Sequence, residues 1–258
     1  MMLSMRVNQV NSLCNIDDGN LITIAGYVGS GKSVYAENIA YYAALEGKHV
    51  VYIETEVSLD SIKNRFLKLH KYNNLSINDE SSLNKNYEET IGGNITFIDF
   101  SKMQFSNLKK HITELQDQYP IDLIILDSFS SLVYKKNHPS LLEYLRYFQN
   151  IKDSFLSKPN ICLIANTSRK GYLYAHSRSK ISDDAEGTYK IDGITHGNKL
   201  SLFSDYIIAV YSSELLRLKN KIKLQVLKAK DKNPDTKPIE IGFLKDSETQ
   251  ELTIINRG

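Results

Sequence analysis

Gly26-Tyr27-Val28-Gly29-Ser30-Gly31-Lys32-Ser33 fills every fixed position of a G-x4-G-K-S phosphate-binding loop. Before it, Leu21-Ile22-Thr23-Ile24-Ala25 is short, apolar and rich in β-branched residues, and reads as a buried strand. After it, residues 33–45 have a helical pattern, and Gly47 stands where a C-cap glycine belongs. In that setting the glycines let backbone N–H groups turn inward around phosphate oxygens, and the helix N-terminus adds partial positive charge. Lys32 would reach the β- and γ-phosphates, and the Ser33 hydroxyl would complete the coordination of Mg²⁺. A chance Gly-rich turn could precede a helix, but it would not match all the fixed positions between a strand and a helix. The stretch predicts a nucleoside-triphosphate site.

Outward from the loop, strand-like and helix-like stretches alternate. Strands are expected at 21–25, 49–53, 95–99, 123–127 and 161–166, with helices over 33–45, 59–69, 105–118 and 141–156. Apolar strands separated by helices predict an α/β fold with a mainly parallel central sheet flanked by helices. After Ser204 the pattern changes to strands without helices, at 205–211, 222–230, 239–243 and 251–255. This predicts an antiparallel C-terminal extension at one sheet edge. No linker or internal repeat interrupts the run, so residues 1–258 read as a single domain with a short N-terminal segment, about 1–18. Two stretches lack hydrophobic periodicity. Residues 73–94 read as a polar surface loop, and 170–199 as a long functional or mobile loop.

The chain has 258 residues, 41% hydrophobic and 24% charged, an ordinary globular composition. It has no apolar run long enough to span a membrane and no signal-peptide core, so a membrane protein is excluded and a cytoplasmic setting expected. Cys14 and Cys162 show neither metal nor redox spacing. A net charge of +2 does not by itself point to nucleic acid, but the charge is uneven. From Arg217 to Lys237 there are eight Lys/Arg and two Asp, and from Arg169 to Lys180 four Lys/Arg and no acid.

Hydrolysis needs more than a phosphate cradle. Asp127 ends the run Ile121-Asp122-Leu123-Ile124-Ile125-Leu126-Asp127, the form of a buried strand delivering a carboxylate to Mg²⁺ at the carboxyl end of a parallel sheet. A water attacking the γ-phosphate must also be oriented by a carboxylate or Gln. The strand ending at Ile53 runs into Glu54-Thr55-Glu56. If extended conformation continues, these two acids point to opposite faces and only one meets the nucleotide. Spacing does not choose between them.

The segment 47–58, Gly-Lys-His-Val-Val-Tyr-Ile-Glu-Thr-Glu-Val-Ser, resembles the stretch after the phosphate loop in the ATPase domain of DnaB-type replicative helicases, members of the RecA-like superfamily. There a hydrophobic strand closes in Glu-hydrophobic-Ser, which implies that Glu56 is the catalytic glutamate. Residues 121–127 are similar to the family's second ATP motif. Residues 160–169, Asn-Ile-Cys-Leu-Ile-Ala-Asn-Thr-Ser-Arg, are similar to its strand ending in Ser-Gln-hydrophobic-Ser-Arg, and 227–243 to its late strand pair with two basic fingers. The ordered set covers about 10–255. It implies a RecA-like ATPase using ATP and Mg²⁺, a homo-oligomer expected to be a hexameric ring, with sites between subunits. Two departures stand out. Asn166 replaces the usual Gln and is one methylene shorter. DnaB-type helicases also carry an N-terminal domain and a linker helix, so a subunit tether here must come from residues 1–18 or from another protein. Residues 195–205 are also similar to a region of RecA- and RadA-like recombination ATPases.

Lys230 and Lys232 alternate with Ala229 and Asp231, so on a strand both point to one face. The resemblance implies that they reach the γ-phosphate held by the adjacent subunit. In the stretch from Arg169 to Lys180, the bases Arg169, Lys170, Arg178 and Lys180 interleave with Tyr172 and Tyr174. Such cations neutralise phosphates and such rings stack on exposed bases. DnaB- and RecA-like proteins place a central DNA-binding loop there. Tyr134-Lys135-Lys136-Asn137-His138 is a second, weaker candidate for DNA contact. The expected function is an ATP-hydrolysing motor on single-stranded DNA, a DnaB-like helicase core. The alternatives are a recombination ATPase, and an ATP-switched assembly or loading factor holding a protein partner, such as a replication protein.

Overall fold

The structure is a computed structural model that describes residues 3–14, 16–74, 76–77, 79–132, 139–230, 234, 237–245 and 252–255. Among them nine strands form one sheet in the order β3-β2-β4-β5-β1-β6-β7-β8-β9. The strands are β1 Leu21–Gly26, β2 Val50–Glu54, β3 Ile95–Asp99, β4 Leu123–Asp127, β5 Asn160–Asn166, β6 Tyr206–Tyr211, β7 Lys221–Lys228, β8 Ile239–Lys245 and β9 Leu252–Ile255. From β3 to β6 every neighbouring pair is parallel. From β6 to β9 every pair is antiparallel. This is the mainly parallel sheet with an antiparallel C-terminal extension that the alternation of strands and helices predicts.

The described helices are α1 Asn8–Leu13, α2 Lys32–Leu45, α3 Leu59–Asn73, α4 Glu80–Thr90, α5 Phe105–Gln118, α6 Phe129–Leu132, α7 Leu141–Ser154, α8 Arg169–Ser177, α9 Gly197–Phe203 and α10 Glu214–Leu218. They cover both faces of the sheet. On one face Ile22, Ile24, Tyr52, Ile125 and Ile164 pack with Tyr35 and Ile39 of α2 and Phe66 of α3. On the other, Leu21, Val51, Ile53, Ile124 and Leu163 pack with Ile112 of α5 and Phe148 of α7. The central strands are apolar at successive positions because alternate side chains enter two different cores.

The structure corrects four expectations. Residues 80–90 form α4, capped by the Asp79 carboxylate accepting Ser82 N–H at 2.7 Å and anchored by Leu83 and Tyr87 one turn apart. Residues 170–199 are not a structureless loop, since α8, α9 and short 3₁₀ turns occupy most of them. The strands after Ser204 are interrupted by α10. β7 stops at Lys228, which leaves Lys230 in a turn rather than on a strand face, and Lys232 lies outside the described residues.

The N-terminal segment packs on its own domain. Leu3, Met5, Val7, Val10 and Ile16 are buried in the α2 face of the core, and Tyr35 Oη donates to the Met5 carbonyl at 2.8 Å. These side chains are occupied within the chain and are not free to clasp a neighbour.

Candidate nucleotide site

Strands β2, β4, β5 and β1 are adjacent and parallel, so their carboxyl ends share one edge of the sheet. That edge gathers residues distant in sequence, because register sets Asn166 beside Gly26 and Asp127 beside Glu54. It is the edge on which open α/β sheets bind ligands.

Leaving β1, the chain turns with Gly29 at φ 72° and Gly31 at φ 93°, left-handed values that suit glycine. Ser30 N–H closes the turn on the Tyr27 carbonyl at 3.0 Å. No side chain caps α2, so the orphan N–H donors of its first turn are left for an anion at the loop. The Lys32 ammonium donates to the Tyr27 carbonyl at 3.1 Å. Its pKa is lowered by burial, against the raising influence of Asp127 and Glu56. Ser30 Oγ is buried without a partner, and a Cβ on Gly26 would collide with that oxygen and with the Val210 carbonyl.

Asp127 is 4% exposed. Tyr52 Oη donates to its Oδ2 at 2.9 Å, and Ser33 hydrogen-bonds the same carboxylate. Burial raises the Asp127 pKa although both hydrogen bonds and the Lys32 charge act to lower it. Ser33 and Asp127 bring together hard oxygen atoms of the kind that Mg²⁺ accepts. Among the described residues, no group of three or more His, Cys, Asp or Glu could hold a metal alone. The remaining ligands would come from phosphate and water, so this donor set fits Mg²⁺ carried by a nucleotide.

The two acids after β2 do not alternate, because extended conformation ends at Glu54. Glu54 is 3% exposed and curls back, its Oε1 accepting N–H groups of Thr55, Glu56 and Val57 at 3.0, 2.8 and 3.0 Å. Burial first, then the Asp127 charge, lift its pKa to about 7 against those three donors. Glu56 is exposed, and its charge acts on both Lys32 and Asp127. Asn166 is half-buried beside the loop; its N–H donates to Ser130 Oγ at 2.8 Å, and Thr167 N–H donates to the Gly26 carbonyl at 2.9 Å.

The basic stretch after β5 folds as α8, its N-cap Ser168 accepting Gly171 N–H at 3.0 Å. Gly171 and Gly193 meet backbone to backbone, an approach that a side chain would block. Arg169, Lys170 and Lys180 are exposed, while Arg178 is half-buried. The two tyrosines are engaged within the chain. Tyr172 stacks on Tyr27 with ring centroids 4.6 Å apart, and Tyr174 lies under Lys190 at 5.0 Å and Arg178 at 5.8 Å. Both expectations of a tyrosine face open to a base meet rings already partnered. A cavity of about 160 Å³ opens beside them, lined by Ser168, Lys170, Tyr174, Lys190 and Asp192 among others. Residues 134–138 lie outside the described residues.

Lys230 is exposed and remote from the chain's own cradle. β7 runs antiparallel to β6, pairing Lys223 with Tyr211 at the cradle edge and Lys228 with Ile207 at the opposite edge. Lys230 lies beyond that opposite edge.

The Tyr27–Tyr172 stack and the Tyr52 hydrogen bond to Asp127 escape sequence reasoning, since nothing local links their partners. Arg217 of α10 was legible only as part of a basic run, yet its Nη1 lies 3.8 Å from where a Gly29 Cβ would stand.

Comparison with known proteins agrees with this geometry. The family model described as "ATPase: KaiC" matches residues 11–159, more than half of the chain. Two solved structures are similar in fold. One is a KaiC-like protein from the hyperthermophilic archaeon Pyrococcus horikoshii, with 14% identity, a TM-score of 0.63 and 99% of each chain covered. The other is a DnaB-like replicative helicase described with its interactions with primase, with 13% identity and a TM-score of 0.73. There the match covers 99% of this chain and 63% of that one. No curated protein matches the sequence. Among the described residues, no helix is long and apolar enough to cross a membrane.

Proposed function

Because the chain belongs to the KaiC ATPase family, we propose that it is an ATP hydrolase that works as a motor on single-stranded DNA. In this reading it acts as a DnaB-like hexameric ring with ATP between subunits. The observation that carries it is a shared strand pair: β1 leads into the phosphate loop, and the adjacent β5 leads into the exposed cations of α8. A change at the nucleotide thus has a short structural route to a strand of phosphates.

The loop from Gly26 to Ser33 would wrap the triphosphate, with Lys32 countering charge on the β- and γ-phosphates. Bound Mg²⁺ would neutralise phosphate charge, and Ser33 and Asp127 are the residues that would hold it. Glu56, exposed near Lys32, would accept the proton of the attacking water. Glu54 instead holds the turn that presents Glu56. Asn166 would face the γ-phosphate side from the end of β5. Lys230 and Lys232 would serve the neighbouring subunit's nucleotide, since β7 runs towards the sheet edge away from its own cradle and Lys230 follows it in a turn. Arg169, Lys170, Arg178 and Lys180 would grip DNA phosphates.

A second reading, an ATP-switched loading factor that holds a protein partner, gains weight from Tyr172 and Tyr174. Both rings are engaged within the chain and offer bases little stacking surface. ATP hydrolysis measured with and without single-stranded DNA, together with particle size in ATP, separates the two readings. Stimulation by DNA supports the motor, and an ATP-dependent oligomer indifferent to DNA supports the loading factor.

A further inference from the structure

Tyr27 is held in two ways at once. Its carbonyl accepts Lys32 Nζ at 3.1 Å and Ser30 N–H at 3.0 Å, which places its backbone inside the phosphate loop. Its ring stacks on Tyr172 of α8, with centroids 4.6 Å apart and planes 19° apart. The stack continues beyond Tyr172. The Tyr211 ring lies 5.9 Å away at 25°, and His176 lies 6.0 Å away at 10°. That far end is fixed by a polar chain whose Tyr211, Glu186 and Lys223 are buried. Tyr211 Oη donates to Glu186 Oε1 at 3.0 Å and lies 2.9 Å from His176 Nδ1, while Lys223 pairs with Glu186 at 3.7 Å.

One side of the column is therefore anchored in β6 and β7, and the other side is the phosphate loop itself. Tyr172 stands between them, on the helix whose first turn carries the exposed Arg169 and Lys170. Phosphate oxygens that engage Lys32 compete with the Tyr27 carbonyl for its ammonium protons. A shift of the Tyr27 backbone then moves a ring whose partner belongs to α8. We propose that Tyr172 is a positioning residue that sets the conformation of the phosphate loop through Tyr27 and passes nucleotide occupancy to α8. The inference rests on the nucleotide reading of the loop and deepens it by naming the route of regulation. Such coupling is reciprocal, so a change at Tyr172 must also appear in nucleotide affinity. Its size is that of one aromatic pair, about 3- to 10-fold.

The chain contains no tryptophan, so Tyr172→Trp places a single reporter on α8. Its emission is monitored while a non-hydrolysable ATP analogue with Mg²⁺ is added, and binding is measured separately by calorimetry. The same calorimetry is run on Tyr172→Leu, which loses the stacked ring, and on Tyr172→Phe, which keeps it. The expected result is an emission change that saturates with the calorimetric binding curve. Affinity should fall about 3- to 10-fold in Tyr172→Leu and return to the wild-type value in Tyr172→Phe. Flat emission while calorimetry records binding would overturn the proposal. So would wild-type affinity in a Tyr172→Leu protein that is merely less heat-stable, because the ring would then be packing alone. An absence of binding heat in the wild type would overturn the nucleotide reading, and this inference with it.

Discussion

Glu54 and Asp127 end adjacent parallel strands in register, and burial together with the Asp127 charge raises the cost of ionising Glu54 at the edge where the phosphate loop opens. Three backbone N–H groups favour the Glu54 carboxylate. Burying a carboxylate costs several kcal/mol, and the neighbouring Asp127 adds to it. Burial wins, and the pKa rises to about 7.

Between the ordinary carboxylate range and pH 7 the folded chain therefore holds a proton on Glu54 that the unfolded chain has released. The stability from this group is fully present below about pH 4.5 and is lost as pH rises through about 7, a change on the order of 1–3 kcal/mol. Glu54→Gln removes the titration. Thermal melts without nucleotide or Mg²⁺ should show the wild type losing Tm relative to Glu54→Gln across that window. A constant Tm difference would mean that Glu54 does not titrate there.

Glu56→Gln should leave nucleotide affinity near wild type and lower hydrolysis by about 100-fold or more, the range for loss of a general base. Glu54→Gln should change stability more than turnover, because the Glu54 Oε1 organises the turn. Steady-state ATPase assays beside a binding titration test the assignment. The reverse ranking would make Glu54 the base.

The parallel half of the fold was legible because each strand buries both faces and reads as an unbroken apolar run. The expected strands 95–99 and 123–127 match β3 and β4, 49–53 is shifted by one residue from β2, and the other parallel strands differ by one residue at one end. α4 was missed because Leu83 and Tyr87 alone form its buried stripe. α8 was missed because Gly171 sits inside it, and that glycine serves the close approach to Gly193 rather than a break. The phosphate loop and Asp127 could be read from sequence because their chemistry needs contiguous residues. The choice between Glu54 and Glu56 could not, because it turns on where extended backbone stops. The Tyr27–Tyr172 stack joins residues whose meeting only the β1–β5 pairing dictates.

Lys230→Ala should leave nucleotide binding nearly intact and impair hydrolysis, since Lys230 lies beyond the sheet edge opposite its own cradle. Mixing Lys230→Ala with Lys32→Ala subunits should restore part of the activity, because each supplies what the other lacks across an interface. A freely exchanging mixture no more active than its components would place the defect within one subunit.

The motor reading is tested most directly by ATP hydrolysis as single-stranded DNA is titrated in, at several salt concentrations. Wild type is compared with the chain carrying Arg169→Ala, Lys170→Ala, Arg178→Ala and Lys180→Ala. The account predicts DNA-stimulated hydrolysis in the wild type and DNA affinity that falls steeply with salt. In the fourfold variant both should be lost together while basal hydrolysis stays close to wild type. The slope of log affinity against log salt should become shallower by up to about 3, roughly 0.7 for each phosphate no longer neutralised. A wild type whose hydrolysis ignores DNA, and which shows no salt-sensitive DNA binding with an ATP analogue bound, would contradict the account.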